Sequence, residues 1–266
     1  MPETTTKPAA EGRIVVEGLP PTRAFAVISW GATATKWLAW ALNSHPDIYC
    51  VHQANQFWYS MGGAPLLDGA DYLRLIVSQG DGYLAAGDVH GVSRETVPAI
   101  RQMFGERFRS AVLIRDPQAR LRSQFAVFER YKQHRSYEID YVNDIIDRRG
   151  LPISKDDYER KLYVHGIDML NRITEEVAVG PIFTAESITS NPDALASIVR
   201  AVAGDDIEIS SEWCERTVAS PRLNSHNDGK SDPLTEPWIR ELIAKVVQPE
   251  AWELYRQYGY EPPAFL

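Results

Sequence analysis

A loop of small and hydroxyl-bearing residues at 31–35 is the stretch of the sequence best suited to hold an anion. The pattern predicts a buried strand over 25–29 before the loop and a helix over 36–42 after it. The first N–H groups of a helix have no backbone partner and point at whatever precedes them. Two threonine hydroxyls and the Lys36 ammonium add donors and charge. The alternative is a loop whose small residues serve packing only.

A second anion contact is predicted where Arg115 ends a strand over 109–114. A helix is predicted to start at Pro117 and to run to about residue 132. A guanidinium can bind a phosphate through two parallel hydrogen bonds, and the Ser123 hydroxyl, two helical turns on, would add a third to the same anion. The alternative is an arginine in a salt bridge and a serine on the helix surface.

Two histidines stand at the ends of predicted strands. His52 closes a strand over 48–52, and His90 follows a strand over 83–89. An unperturbed imidazole titrates near neutral pH, so either can take a proton from a reacting group, although each could also be a structural hydrogen-bonding residue. Ligands of parallel sheets bind beyond the carboxyl ends of the strands. Because the 31–35 loop, both histidines and Arg115 all follow such ends, the sequence predicts one site.

The segment after the second predicted strand is aromatic, with Phe57, Trp58 and Tyr59 in succession. An irregular aromatic loop can cover a site with apolar surface, and we expect it to bind an acceptor substrate. The alternative is a loop that packs on the core.

Short predicted strands alternate with helices along the whole chain, including a fifth strand over 181–184. This alternation is typical of an α/β fold with a mostly parallel central sheet flanked by helices. The charged middle, 136–179, is predicted to be helical, broken at Pro152, with most of its charges on a solvated face. We expect residues 1–12 to be a disordered lead and residues 13–266 to form a single domain.

Composition excludes several classes of function. The 266 residues carry a formal net charge of −8, which argues against general binding to nucleic acid or to an anionic membrane. No apolar run is long enough to cross a bilayer. Two cysteines make no disulfide framework, and no Cys/His cluster has zinc spacing, so we expect a cytoplasmic protein without a metal. A P-loop kinase would need Ser or Thr after its lysine, but Trp37 follows Lys36.

Together these stretches resemble the sulfotransferases that use 3′-phosphoadenosine 5′-phosphosulfate (PAPS). The first loop of that family has a form like K/R-S-G-T-T-W-L, to which residues 32–38 are similar. The L-N-S-H-P-D-I that often follows it stands at 42–48, and the second loop of the family, R-D/N-P-x-x-x-x-x-S, matches 115–123 at the right spacing. Residues 184–192 and 237–260 are similar to its Y-E-D-L-x-x-D/N-P segment and to its C-terminal helices.

The resemblance implies a P-loop-like sulfotransferase fold and in-line transfer of a sulfuryl group from PAPS. The acceptor would be the hydroxyl or amine of a small molecule such as an alcohol, a phenol or a sugar. The product would be 3′,5′-adenosine bisphosphate (PAP), and no metal is required. The 5′-phosphosulfate would bind to the first loop, at Gly31, Ala32, Thr33, Ala34, Thr35, Lys36 and Trp37.

The 3′-phosphate would bind to Arg115 and Ser123. In the family a late basic loop closes over the same phosphate. Here the corresponding segment is 222–230, in which Asn227 and Lys230 are the candidate contacts.

The resemblance also bears on the base. Many cytosolic members carry a catalytic histidine in K-T-H-L-P, and this chain has Asp88, Val89 and His90 at the first three positions. Other members place a catalytic glutamate at the position of His52. We favour His90 over His52.

Two residues depart from the family pattern in the first loop. Ala32 stands where the family has a basic residue that stabilises the bridging oxygen of the leaving group, and Ala34 stands in place of a glycine. Lys36 is the nearby cation that would supply the missing charge. The alternative function is therefore a catalytically weak or inactive sulfotransferase-like protein that binds a nucleotide or a partner.

Overall fold

The structure is a computed structural model that describes residues 7–8, 14–15, 20–31, 33–53, 67–131, 139–220 and 232–266. The chain divides into two compact units. The first unit comprises Met1–Ile114 with Ala178–Leu223, and the second comprises Arg115–Val177 with Asn224–Leu266. The expectation of one domain over 13–266 stays a prediction.

The first unit is built on a parallel sheet. Two strands of two residues each, Lys7–Pro8 (β1) and Ile14–Val15 (β2), pair antiparallel with each other and are not part of this sheet. Within the described residues, five strands in the order β4-β5-β3-β6-β7 form that sheet, and all their pairings are parallel. These strands are Arg23–Ile28 (β3), Ile48–His52 (β4), Ala85–Val89 (β5), Phe108–Ile114 (β6) and Ile182–Thr184 (β7).

Helices alternate with these strands. In chain order, those of the described residues with four or more residues in α-helical geometry are Thr35–Asn43 (α1), Gly69–Gln79 (α2), Val97–Phe104 (α3), Pro117–Tyr131 (α4), Val142–Arg149 (α5), Tyr158–Asp168 (α6), Ile173–Glu176 (α7), Ala185–Ile188 (α8), Pro192–Ala203 (α9), Ser211–Val218 (α10), Pro237–Val246 (α11) and Pro249–Gln257 (α12). In the first unit α1 packs on β4 and β5, α2 on β5 and β3, and α9 on β3 and β6. The predicted α/β class, with a parallel central sheet flanked by helices, is confirmed.

The strands of the sheet end together at one edge. The register places His52 opposite Val89, and Val89 opposite Val27. β3 is buried along nearly its whole length, which is typical of a central strand covered on both faces. Residues that follow β3, β4 and β5 therefore emerge side by side.

Apolar periodicity accounts for α1. Its predicted apolar face, Trp37, Leu38, Ala41 and Leu42, is buried and lies in the same core cluster as Phe25 of β3. The helix ends at the turn after Asn43, where His45 is buried. The imidazole of His45 accepts the N–H of Asp47 on Nδ1 and contacts the carbonyl of Glu208 through Nε2. The S-H-P-D turn is thus fixed to the core.

The second unit is helical. The carboxylate of Asp116 accepts the N–H of Ala119 at 2.6 Å, and Pro117 occupies the first position of α4, so the R-D-P sequence starts that helix as predicted. The charged middle is helical on both sides of Pro152. Lys161 and Glu176 depart from the solvated face expected for most of its charges, since both are buried. In the described part of the chain, no helix is long and apolar enough to span a membrane.

Candidate active site

The loop between β3 and α1 has the geometry of an anion site. Gly31 and Ala34 both take left-handed conformations, with φ of 54° and 59°. Ala34 is the N-cap of α1, and its carbonyl accepts the N–H of Leu38 at 3.0 Å. Among the described residues no side chain caps this helix, and its first turn holds no acidic residue but does hold Lys36. Its first N–H groups therefore point into the loop as donors that suit a negative ligand.

Alanine at position 34 does not change the shape that glycine would favour there. Glycine adopts the left-handed region without a steric clash, whereas alanine adopts it at a cost of about 1–2 kcal/mol. The departure from the family pattern therefore keeps the backbone of the loop and forgoes some stability.

The hydroxyl of Thr33 is used inside the protein. Ser29 Oγ donates to the carbonyl of Leu113 at 3.0 Å, and a carbonyl can only accept. Ser29 Oγ also shares a hydrogen bond with Thr33 Oγ1, in which Thr33 must then be the donor. The buried Thr33 thus ties the loop to β6 through Ser29, and its hydroxyl hydrogen is already used within the protein.

Thr35 and His52 are joined across the carboxyl edge. Thr35 Oγ1 lies 3.0 Å from His52 Nε2. Burial, and after it electrostatic repulsion from His90 and Lys36, lowers the pKa of His52 to about 4. His52 is therefore neutral near pH 7. The exposed Lys36 lies close enough for its ammonium charge to act on this end of the site.

His90 is held as one tautomer. Its main-chain N–H donates to the carbonyl of Val27 at 2.9 Å, and its imidazole Nδ1–H donates to the carbonyl of Ser29. Since a carbonyl accepts only, a neutral His90 carries its proton on Nδ1 and its lone pair on Nε2. The rings of His52 and His90 lie 6.2 Å apart, so the structure brings the two predicted bases together.

Unusual backbone conformations gather at the same edge. Of the non-glycine residues that the structure describes, Ala34, Gln53 and His90 have positive φ. They follow β3, β4 and β5, which end together. Such conformations cost of order 1–3 kcal/mol each and cluster at active sites and ligand clamps. The carboxyl edge of the sheet is therefore the best candidate for a site in the first unit.

The predicted 3′-phosphate contacts belong to the second unit. Arg115 follows the last residue of β6, and Ser123 lies two turns inside α4. Both are partly buried. Between them Arg122 forms an ion pair with Asp232 at 2.9 Å, so this arginine has an acidic partner of its own.

The side chain of one predicted site residue lies in the core, and six other predicted site residues lie outside the described part of the chain. Trp37 is 2% exposed, and its side chain packs in the core, so its main-chain N–H is the part that belongs to the helix start. Six further candidates lie outside the described residues, and their roles stay predictions: Ala32, Phe57, Trp58, Tyr59, Asn227 and Lys230.

Sequence reasoning missed Ser29. Its carbonyl fixes His90 and its hydroxyl fixes Thr33, but a serine at the end of a strand is too common to be noticed. Asp88 was considered only because it stands at the position of the lysine in the K-T-H-L-P pattern.

No family model and no curated protein matches this chain. Among solved structures, the chain is similar to a sulfotransferase from Alicyclobacillus acidocaldarius, at 15% identity over 91% of this chain and 98% of that chain, with a TM-score of 0.48. It is also similar to the mouse sulfotransferase SULT7A1 complexed with PAP, at 12% identity over 94% of this chain and 92% of that chain, with a TM-score of 0.40.

Proposed function

We propose that this protein transfers a sulfuryl group from PAPS to the hydroxyl or amine of a small acceptor, with His90 as the general base. The observation that carries the proposal is the tautomer of His90. Its Nδ1–H donates to the carbonyl of Ser29, so the lone pair of the neutral ring is on Nε2. The ring follows β5 at the carboxyl edge of the sheet, beside the end of the strand that leads into the 31–35 loop. The motif resemblance of that loop and of 115–123 supplies the donor.

The residues of the first loop fit a phosphosulfate. The uncapped start of α1 offers main-chain N–H groups, and no acidic side chain in its first turn opposes an anion. Lys36 adds a charge that is felt at His52 and would compensate for the missing basic side chain at Ala32. Arg115 and Ser123 would bind the 3′-phosphate of the same nucleotide.

The chemistry asks little of the protein beyond position and proton transfer. The acceptor oxygen forms a bond to sulfur while the bond from sulfur to the phosphate oxygen breaks, and PAP leaves. The acceptor hydroxyl gives its proton to Nε2 of His90. A positioned base of this kind contributes about 10²–10⁴-fold to the rate. The Ser29 carbonyl keeps Nε2 as the accepting atom and stabilises the imidazolium that results.

His52 is the weaker candidate for the base. With a pKa of about 4, it is a poor proton acceptor, and its Nε2 is already in contact with Thr35. Its role in this proposal is to orient the Thr35 hydroxyl at the donor loop.

Calorimetric titration of PAP tests the donor site. We expect PAP to bind to the wild type and binding to collapse in Arg115→Ala, whereas Arg109→Ala, which removes an exposed arginine from β6, is the matched control. ATP with magnesium should not replace PAP. Failure of PAP to bind to well-folded wild type would contradict the proposal.

Turnover is the second half of the test. Radiolabelled PAPS offered with alcohols, phenols, sugars and amines should yield a sulfated product that depends on His90. The alternative, a nucleotide-binding relative without useful turnover, is favoured by Ala32 at the position of the family's basic residue. Binding of PAP with no product from any acceptor would support that alternative. Both cysteines are free thiols, which fits the reducing cytoplasm as the compartment we propose.

A further inference from the structure

A carboxylate is buried two residues before His90. Asp88 is 0% exposed, and it lies in β5 on the strand that delivers the proposed base. One of its oxygens accepts the hydroxyl hydrogen of Tyr72 at 2.6 Å, and the other accepts the N–H of Gly91. Burial of a charged group is costly unless hydrogen bonds compensate for the lost water, so these contacts hold Asp88 in one place.

The contact with Gly91 closes a turn around His90. Asp88 and Gly91 flank Val89 and His90, and between them His90 takes a φ of 74°. A Cβ on Gly91 would lie 2.5 Å from Asp88 Oδ1, so any side chain at this position would displace the carboxylate from its contact with the main chain. The carboxylate of Asp88 thus closes a turn that contains Val89 and His90.

The negative charge of Asp88 is felt in the neighbouring strand. Burial, and after it the charge of Asp88, raises the pKa of the Cys50 thiol. Gly87, next to Asp88, pairs with Cys50 in the sheet. Burial of the Asp88 carboxylate is costly, and stabilisation of the turn around His90 explains why an aspartate occupies this position.

We propose that Asp88 is the positioning residue of His90. By accepting the N–H of Gly91, its carboxylate holds the turn in which His90 adopts the left-handed conformation and donates Nδ1–H to Ser29. This inference rests on the proposed function insofar as His90 is the base. It also gives a role to an aspartate that stands where the family has a lysine.

Three substitutions separate positioning from general stability. Asp88→Ala removes the acceptor of the Gly91 N–H. Asp88→Asn keeps an oxygen for Gly91 and an amide that can donate to the Tyr72 oxygen, so it should preserve the turn. Gly91→Ala leaves Asp88 in the sequence but forces its carboxylate away from the main chain. The control is Thr22→Val, which removes a partly buried hydrogen bond to the Tyr83 carbonyl on the amino-terminal side of β5.

The first measurement is steady-state turnover, with thermal melting to confirm folding. We expect Asp88→Ala and Gly91→Ala to lower kcat by about 100-fold while KM for PAPS changes by less than about threefold, because a small displacement of a reacting group affects chemistry more than binding. Asp88→Asn should keep most of kcat. Thr22→Val should lower the melting temperature and leave kcat unchanged.

The second measurement does not need turnover. Proton–nitrogen spectra of the histidine side chains should show a protected Nδ1–H of His90, assigned by its loss in His90→Gln. We expect this resonance to persist in Asp88→Asn and to vanish in Asp88→Ala and Gly91→Ala.

The outcomes are distinct. Retention of the resonance and of kcat in Asp88→Ala would overturn the inference, as would an Asp88→Asn variant as impaired as Asp88→Ala. Absence of any sulfuryl transfer by the wild type, with the expected spectra, would contradict the proposed function and support the positioning of His90 by Asp88.

Discussion

His90 and Ser29 are joined by a hydrogen bond from the imidazole Nδ1–H to a main-chain carbonyl, although 61 residues separate them in the chain. Ser29 follows β3 and lies two residues before the 31–35 loop, while His90 follows β5. The proposed base and the proposed donor loop are therefore both hydrogen-bonded to Ser29. A change in the position of Ser29 would therefore also change the position of the His90 imidazole.

His90→Gln should remove the proton acceptor while keeping a side chain of similar reach. We expect kcat to fall by about 10²–10⁴-fold, the range for loss of a general base, with the Kd of PAP little changed. His52→Gln is the comparison, since its amide nitrogen can replace Nε2 as a partner of Thr35. Steady-state rates and calorimetry give the answer, and a larger loss of kcat in His52→Gln would exchange the two roles.

Ala34→Gly should stabilise the protein. Glycine removes the cost of a left-handed alanine but adds freedom to the unfolded chain, and we expect a net gain of about 0.5–1 kcal/mol. Ala39→Gly, in the interior of the same helix, should instead cost about 1 kcal/mol. Urea denaturation of both variants measures this, and a loss of stability in Ala34→Gly would contradict the loop conformation.

His52 and His165 should make stability fall in acid. Burial is the main cause that lowers the pKa of each to about 4, below the value of about 6.5 in an unfolded chain. Between these two pKa values the unfolded state therefore binds protons that the native state does not bind. Stability is complete above about pH 6.5 and is lost as the pH falls to about 4, by roughly 2 kcal/mol per histidine after allowing for partial exposure.

The test is the slope of unfolding free energy against pH. Replacement of either histidine by glutamine should flatten the slope in that window, and the double variant should flatten it further, because the two lie in different units. A slope that is the same in all three variants as in the wild type would show that other groups are responsible.

Trp37 and Trp40 offer a matched pair on one helix. Trp37 is 2% exposed and Trp40 is 41% exposed, with ring centroids 6.5 Å apart. Trp37→Ala should cost about 3–5 kcal/mol because it leaves a cavity in the core, whereas Trp40→Ala should cost less than about 1 kcal/mol. Chemical denaturation compares them. Equal losses would mean that Trp37 is not a core residue.

The elements of the fold could be predicted because apolar periodicity reports burial directly. The strand over 48–52 and the helix that begins at Pro117 agree with the structure at their predicted starts. The two histidines were found because they end strands of a parallel sheet. Trp37 satisfied two patterns at once, an apolar helix face and a donor-loop motif, and packing decided where its side chain lies.

The contacts that refine the site could not be predicted. The bonds of Ser29 reach Leu113 and His90, far along the chain, and residue types alone do not encode such pairings. The burial of Asp88 contradicts the usual exposure of aspartate, and only the positions of Tyr72 and Gly91 explain it. The left-handed Ala34 was likewise hidden, because alanine rarely adopts that conformation.

The three positive-φ residues at the carboxyl edge have a consequence for laboratory evolution. Substitution of Ala34, Gln53 or His90 by glycine relieves backbone strain, so selection for heat tolerance alone would favour glycine at these positions. Glycine at the first two positions leaves the proposed chemistry intact, but at the third it deletes the proton acceptor. Robustness and catalysis thus compete at one position, and a library screened for both would keep histidine there.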